Sequence, residues 1–182
     1  MNVEVIGPRI EDKPLIKNLY TFYRYDLMPF IAQGPGAFAN EFGTIDGEAS
    51  RTHDEAVADC DVWWERPGVL FALLIRAAGR PAGFAMVATP PHASPRVDYR
   101  FNEFFILNKC RRQGVATAAA TAVLDRFRGK WEVGHLPANL AAGAFWRRFV
   151  PRYTGGKFEE TTLNMGPDEP ALPGYFFDNR LG

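Results

Sequence analysis

The sequence predicts a single α/β domain in which helices flank a mixed sheet. The chain has 182 residues, a length typical of one domain, and 47% of them are hydrophobic, enough to form a buried core. Segments with the two-residue period of strands alternate along the chain with segments of helical period. The sequence contains no internal repeat, low-complexity stretch or linker that would mark a boundary between domains.

The first half of the chain is predicted to contain one strand, two helices and a hairpin. Acidic residues occupy the first turn of the first helix, and apolar residues recur along it at helical spacing. The hairpin consists of two apolar runs around the turn residues 79–81, and its strands are apolar on both faces, so the sheet is expected to be covered on both sides. These elements are a strand at 3–7, a helix at 11–30, a loop at 32–52, a helix at 53–64, and hairpin strands at 69–75 and 82–88.

The second half continues this alternation of strands and helices. A strand is predicted at 96–107, and a helix with one apolar stripe follows it at 113–128. Asn139 is placed as the N-cap of a further helix, which Pro151 is expected to end. The remaining strands are predicted at 130–136, 157–165 and 174–179.

Composition and charge exclude several classes of function. Basic and acidic residues number 21 each, so no net charge attracts the chain to nucleic acid. Two cysteines far apart and three scattered histidines fit neither a disulfide framework nor a metal site. The first twenty residues are too charged for a signal peptide, and no uncharged apolar stretch reaches the ~18 residues of a membrane span. We therefore expect a soluble cytoplasmic protein that binds no metal, nucleic acid or membrane.

The segment KCRRQGVATAAATAVLDRFRGKW, residues 109–131, carries the strongest functional signal. A strand that runs into a glycine turn and then a helix presents amide N–H groups without partners, and a phosphate can bind to them. Gly114 permits close approach of an anion, and Arg111 and Arg112 add positive charge. The alternative is an ordinary glycine before a good, alanine-rich helix. The segment is neither a P-loop nor a GxGxxG motif.

The motif RRQGVA, Arg111 to Ala116, resembles the Arg/Gln-x-x-Gly-x-Gly/Ala motif of the GNAT superfamily of N-acetyltransferases. As in that family, it follows the fourth predicted strand and opens the third predicted helix. The segment NLAAGAFW resembles the family's Asn-x-x-Ala-x-x-apolar-Tyr segment through Asn139, Ala142 and Phe145. The resemblance implies a mostly antiparallel sheet whose fourth and fifth strands splay apart. It also implies one acetyltransferase-like domain over 1–182, with an acceptor side at 1–68, an acetyl-CoA-binding core at 69–150 and closing strands at 151–182.

By the same resemblance, acetyl-CoA would bind as co-substrate between the splayed strands. Its pantetheine would lie against the backbone of Phe105, Ile106 and Leu107, whose side chains are otherwise ordinary core. Backbone amides would hold the pyrophosphate, with a hydroxyl added by Thr117. The residues of this loop are Arg111, Arg112, Gln113, Gly114, Val115 and Ala116. Asn139 would cap its helix, touch pantetheine, or do both.

Glu103 is the predicted general base for deprotonating the acceptor amine. Counted by strand alternation, it shares a face with Tyr99, Phe101, Phe105 and Leu107. An apolar face disfavours the charged carboxylate and raises its pKa, which suits a base near neutral pH. Some members of the family that the chain resembles also carry a catalytic glutamate just before the motif. A bulge that turns Glu103 outward, or a structural ion pair, is the alternative.

The general acid departs from the family pattern. Trp146 stands where many members have a tyrosine that protonates the leaving thiolate, and an indole donates no proton near neutral pH. Trp146 is therefore counted with the coenzyme-contacting residues. Tyr153, shortly after it, is the catalytic candidate that would substitute, unless the thiolate leaves without help or water protonates it.

The acceptor is expected to be a primary amine of a small molecule or peptide, attacking the thioester directly in a ternary complex. Aromatic residues of the first helix, together with Asp26, Glu41 and Asp46, suit a cationic amine, although the pattern favours a core for the apolar residues and a solvated face for the acids. Two other functions remain open, a non-catalytic acyl-CoA-binding or regulatory module and an acyltransferase that uses a longer acyl-CoA. A homodimer is typical of the family, but no interface is assignable.

Overall fold

The fold is built on one seven-stranded sheet in the order β1-β2-β3-β4-β5-β7-β6. The computed structural model describes residues 1–7, 9–31, 39–45, 50–164 and 171–180. The strands are β1 (Val3–Ile6), β2 (Leu70–Ala77), β3 (Arg80–Ala88), β4 (Tyr99–Ile106), β5 (Lys130–Gly134), β6 (Glu159–Leu163) and β7 (Leu172–Asp178). Neighbouring strands run antiparallel except β4 and β5, which are parallel. The predicted α/β domain with a mixed, mostly antiparallel sheet is therefore confirmed.

Helices cover both faces of the sheet, and the sheet separates two hydrophobic cores. They are α1 (Lys13–Ile31), α2 (His53–Ala56), α3 (Val62–Glu65), α4 (Val115–Arg126) and α5 (Leu140–Tyr153). Side chains from α1 and the 53–65 segment pack with Phe84, Met86 and Phe105 on one face, hereafter the α1 face. Side chains from α4 and α5 pack with Phe101 and Trp131 on the other, hereafter the α4/α5 face. Both faces are covered, as the apolar hairpin strands predict.

The helix predicted at 53–64 is instead broken into three short pieces. After α2, the backbone of Val57 leaves the helical region, and a 3₁₀ turn spans Ala58–Asp61 before α3. The residues that this segment buries against the sheet are Val57, Cys60 and Trp63. Their spacing of three matches the 3₁₀ helix rather than the 3.6-residue period of an α-helix, which explains the error.

Two smaller boundaries also differ from the prediction. The hairpin turn is formed by Ala78 and Gly79, both with positive φ, while Pro81 lies within β3 beside a register shift. Helix α5 continues through Pro151 to Tyr153, because a proline in the last turn removes only one backbone donor.

A bulge in β4 changes which side chains share a face. Met86 of β3 pairs with Glu103, but Val87 pairs with Phe101, so Asn102 is an extra residue on β4. Glu103 therefore faces α1 together with Phe105, while Tyr99 and Phe101 belong to the α4/α5 core. The prediction that Glu103 shares its face with Tyr99 and Phe101 is wrong for this reason. Asn102 breaks the alternation without turning Glu103 away from the protein.

The parallel pair β4–β5 is short and then opens. Only Tyr99–Phe101 pair with Trp131–Val133, although β4 continues to Ile106. Beyond Phe101, within the described residues, no strand pairs with the β5 side of β4. The predicted splay between the fourth and fifth strands is therefore present.

Candidate functional site

The open edge of β4 leads directly into a turn that exposes a helix N-terminus. A 3₁₀ turn at Asn108–Cys110 follows β4, Arg112 and Gly114 have positive φ, and α4 begins at Val115. The first backbone hydrogen bond of the helix runs from the amide of Ala118 to the carbonyl of Gly114, at 3.0 Å. The amides of residues 114–117 precede that bond, and no side chain in the described residues caps them. Such unsatisfied donors, at the positive end of the helix dipole, bind anions.

Gly114 keeps this N-terminus accessible. Its φ is +81°, in the left-handed region that residues with a side chain rarely adopt. A Cβ added at this position would meet no described atom within 4 Å, so a side chain there would extend into the open space beside the turn. The residue type is therefore explained by its backbone conformation and by the access that it leaves.

Arg111 fixes the start of the turn to two other elements. Its Nε donates to the carbonyl of Ile106 at 2.7 Å, and its Nη2 forms a close ion pair with Asp26 of α1. The guanidinium also lies 5.7 Å from the centre of the Phe105 ring. The first arginine of the motif thus connects α1 to the end of β4, while Arg112 is exposed to solvent. Gln113 donates to the carbonyl of Lys109 at 2.6 Å and so closes the turn.

The remaining predicted coenzyme residues divide between core and surface. Phe105, Ile106 and Val115 are buried, and Leu107 packs partly against the α1-face core, so any contact from these residues with a ligand would come from backbone. Ala116 is half-buried in the α4/α5 core. Thr117 is exposed, one position after Ala116, at the entrance to a groove between α4 and α5.

This groove has a volume of ≈ 360 Å³. It is lined by Thr117, Thr121, Phe145, Arg148, Phe149, Arg152 and Tyr153. The rings of Phe145, Phe149 and Tyr153 stack in succession, with centroids 5.4 and 5.6 Å apart. A flat aromatic group and an anion would both find partners here, and the groove includes Thr117 in the first turn of α4.

Glu103 lies on the α1 face at the point where β4 leaves β5. The hydroxyl of Tyr23 donates to its Oε2 in a short hydrogen bond, and Asn102 Nδ2 lies 3.3 Å from its Oε1. Rings of Phe84 and Phe105 pack against Tyr23, with centroids 5.5 and 5.9 Å from it. Burial raises the pKa of Glu103 to about 7, although the hydrogen bond from Tyr23 and the charge of Arg24 act in the opposite direction. A carboxylate with this pKa can accept and release protons near neutral pH.

The structure does not bring Tyr153 to Glu103. The Tyr153 hydroxyl donates to Asp125 Oδ1 at 2.8 Å and accepts from Asn179 Nδ2 at 3.4 Å. Asp125 is near the C-terminal end of α4, about 16 Å along the helix from Gly114 at 1.5 Å per residue. Tyr153 also packs on the α4/α5 face of the sheet, whereas Glu103 is on the α1 face.

Trp146 and Asn139 have structural partners of their own. The Trp146 ring is buried against Phe101 and Phe104, at centroid distances of 5.2 and 5.7 Å. Asn139 caps α5, because its Oδ1 accepts from the amide of Ala142 at 3.0 Å. The capping role considered from the sequence is therefore present.

Sequence reasoning missed Tyr23 as the partner of Glu103. Helical periodicity places Tyr23 only on the apolar side of a helix, and 80 positions separate it from Glu103. Of the three acids considered for the acceptor, Asp26 is paired with Arg111 and Glu41 is exposed. Asp46 lies outside the described residues.

The family model of the acetyltransferase (GNAT) family matches residues 38–149, more than half of the chain. The chain belongs to the GNAT family. No match to it is found among curated protein sequences.

Solved structures show the same GNAT fold over nearly the whole chain. RimL, a ribosomal L7/L12 alpha-N-protein acetyltransferase solved with coenzyme A, covers 100% of this chain and 97% of its own, with 13% identity and a TM-score of 0.62. An acetyltransferase from Thermus thermophilus covers 98% and 97%, with 16% identity and a TM-score of 0.58. AAC(6')-Iy, solved with the bisubstrate analogue CoA-S-monomethyl-acetylneamine, covers 82% and 90%, with 16% identity and a TM-score of 0.53. In the ranges that the structure describes, no helix is both long and apolar enough to cross a membrane.

Proposed function

We propose that the protein is an acetyl-CoA-dependent N-acetyltransferase that acts on a primary amine of a small molecule or peptide. The observation that carries the proposal is the position of Glu103. A carboxylate with a pKa of about 7 lies where β4 separates from β5, on the strand that leads into an open helix N-terminus. The same strand can therefore present a base at one point and an anion site at its end.

The coenzyme is expected to bind mainly through backbone. Its pyrophosphate would accept hydrogen bonds from the amides around Gly114–Thr117, and its pantetheine would follow the unpaired edge of β4. The groove between α4 and α5 offers stacked rings and two arginines to the adenosine phosphate end. The two GNAT structures with bound coenzyme derivatives support this choice of co-substrate.

The reaction needs a base, and the residues present supply one. Glu103 takes a proton as the amine nitrogen attacks the thioester carbonyl, and the collapse of the tetrahedral intermediate expels the coenzyme thiolate. Neither Trp146, buried in the core, nor Tyr153, bonded to Asp125, has a part in this proposal. A thiolate is a weak enough base to leave without an obligatory acid, and solvent protonates it.

The acceptor side is assigned to the α1 face. Glu103 faces α1 there. Among the neighbours described above, AAC(6')-Iy was solved with a bisubstrate analogue that joins coenzyme A to acetylneamine. In this proposal, residues 1–68 bind the acceptor and residues 69–150 bind the coenzyme. Residues 151–182 supply the closing strands. Multiply charged amines are natural first candidates for a site that contains a carboxylate and aromatic rings.

A thiol-release assay tests the proposal. The protein is incubated with acetyl-CoA and a panel of amines and N-terminal peptides, and free coenzyme thiol is followed, with longer acyl-CoA donors in parallel. We expect turnover with at least one amine, and a loss of roughly 10²- to 10⁴-fold in Glu103→Gln with unchanged coenzyme affinity. Coenzyme binding without turnover across the panel would instead indicate a binding module, and preference for a longer donor would identify a different acyltransferase. Failure to bind any coenzyme A thioester would reject the proposal altogether.

A further inference from the structure

Tyr23 and Glu103 form a pair that joins α1 to β4 at the proposed catalytic position. The Tyr23 hydroxyl donates to Glu103 Oε2, and the tyrosine ring is fixed by contacts with Tyr20, Phe84 and Phe105. Among the described residues, the hydrogen bond found at Glu103 Oε1 comes from the side-chain amide of Asn102, at 3.3 Å. The two carboxylate oxygens therefore have different surroundings, one with a strong donor and one with a weak contact.

Other charged and titratable groups face this pair, but they are engaged elsewhere. On α1, Arg24 pairs with Asp59 of the 3₁₀ turn at 3.0 Å, and its guanidinium lies 5.9 Å from the ring of Tyr20. Burial raises the pKa of Cys60 in the same turn, with smaller contributions from the charges of Asp59, Asp61 and Glu103. On β4, Arg100 faces the same side, but its Nε lies 2.5 Å from Glu132 Oε1. Tyr23 is thus the group from α1 that bonds the Glu103 carboxylate directly.

We propose that Tyr23 is the positioning residue of the reaction: by holding Oε2 of Glu103, it leaves Oε1 as the oxygen that takes the proton from the acceptor amine. This inference rests on the proposed function of Glu103 as base. The hydrogen bond stabilises the ionised carboxylate, whereas burial opposes ionisation. Without the hydrogen bond from Tyr23, burial would be opposed by the charge of Arg24 but no longer by the hydroxyl, and most of Glu103 would be protonated at neutral pH, where the protonated form cannot act as a base.

The first test needs no acceptor. The ionisation of Glu103 is followed by NMR of protein labelled with ¹³C at the glutamate carboxyl, and the signal is assigned by its loss in Glu103→Gln. In Tyr23→Phe we expect the proton affinity of Glu103 to rise about tenfold, since a hydrogen bond to a charged group is lost. Tyr20→Phe removes from the same side of α1 a hydroxyl that interacts with Glu103 through its charge rather than by a hydrogen bond, and should move the midpoint much less than Tyr23→Phe does. An unchanged midpoint in Tyr23→Phe, or an equal shift in both variants, would overturn the inference.

The second test uses turnover with an amine identified by the thiol-release assay. At pH 7 the Tyr23→Phe enzyme should be about fivefold slower, because about tenfold tighter proton binding leaves less base ionised, and the rate should recover by about pH 9. A merely structural loss would lower the rate equally at every pH, and that result would contradict a positioning role. If the NMR midpoint moves but the pH–rate profile does not follow it, Glu103 is not the base, and the proposed function fails at that point while the Tyr23–Glu103 bond stands.

Discussion

The open edge of β4, on the coenzyme side, and the α1 face of β4 contribute different parts of the proposed reaction. These two regions are built from different kinds of interaction. On the coenzyme side, the parts are neighbours in sequence: the open edge of β4, the turn at 108–114 and the first amides of α4. Their chemistry comes from backbone groups. On the α1 face, the proposed base Glu103 accepts a hydrogen bond from Tyr23, a residue 80 positions away.

This contrast indicates which substitutions the protein should tolerate. A backbone site is insensitive to most side-chain changes and sensitive to those that alter φ or block access. A buried carboxylate is sensitive to any change in its partner or its ionisation, and it reduces stability whenever it is charged. Coenzyme binding and catalysis should therefore fail separately, through different variants.

The largest expected effect on stability comes from Glu103→Gln. A folded-state pKa of about 7, against 4.5 for an ordinary glutamate, means that the native protein binds the proton more tightly than the unfolded chain. The charged form therefore destabilises the fold by up to about 3 kcal/mol above pH 7, and the cost disappears as the pH falls below 4.5. Urea unfolding should show the variant more stable than the wild type at pH 8 by up to that amount, and within about 1 kcal/mol of it at pH 5.

The control for this measurement is Glu160→Gln, which removes a carboxylate from an exposed position on β6. It should show no comparable gain at pH 8. If Glu103→Gln is instead less stable than the wild type at pH 8, Glu103 is a structural ion-pair partner. The contrast between the coenzyme side and the α1 face then disappears.

Gly114→Val should impair coenzyme binding more than Arg112→Ala does. Valine at a φ of +81° is strained and covers the open amides, so we expect affinity to fall about tenfold or more. Arg112 is exposed and its charge is screened, so its loss should change affinity by a factor of about two to five. Calorimetric titration with coenzyme A measures both, and equal losses would show that the turn works as a charged patch rather than through backbone.

The smallest effect is expected at the ion pair that joins the coenzyme turn to α1. Asp26 of α1 pairs with Arg111 at the start of the turn, and both side chains are more than a third exposed, at 35% and 42%. A double-mutant cycle with Asp26→Asn and Arg111→Lys should give a coupling of at most about 1 kcal/mol in coenzyme binding. A coupling of several kcal/mol would mean that the coenzyme turn depends on α1. The coenzyme side and the α1 face would then not act separately.

The turn before α4, to which we assign the coenzyme, was predictable because its signal is local. A glycine that needs positive φ, a helix start and a strand before it all lie within residues 103–117, and the motif resemblance covers the same stretch. These features depend on neighbours in sequence, which a sequence shows directly. The splay of β4 from β5 is implied by the family resemblance rather than by chain order.

The α1 face was predictable only in part because its geometry arises from pairing between distant segments. Strand alternation places Glu103 among Tyr99 and Phe101, but the bulge at Asn102 appears only when β4 meets β3. The prediction of Glu103 as a buried carboxylate with a raised pKa agrees with the structure. Tyr23 could not be linked to it, since helical periodicity shows which side of α1 is buried but not which strand residue lies beneath it.

The distribution of tyrosines shows the same limit. Tyr153 is a candidate catalytic acid because it follows Trp146 closely in sequence, yet its hydroxyl is bonded to Asp125 on the α4/α5 face. Tyr23, far away in sequence, is the tyrosine that contacts Glu103. Proximity in sequence is informative within a turn and uninformative between faces of a sheet.

The most direct test of this separation measures coenzyme affinity and turnover on the same two variants. Calorimetry gives the dissociation constant for coenzyme A, and thiol release at saturating acetyl-CoA gives kcat with the best amine of the panel. We predict that Glu103→Gln keeps the wild-type affinity and loses roughly 10²- to 10⁴-fold in kcat, whereas Gly114→Val loses affinity and keeps most of its kcat once saturated. If Glu103→Gln retains its turnover, or if each variant loses both properties together, the account of β4 as a strand with two separate roles is contradicted.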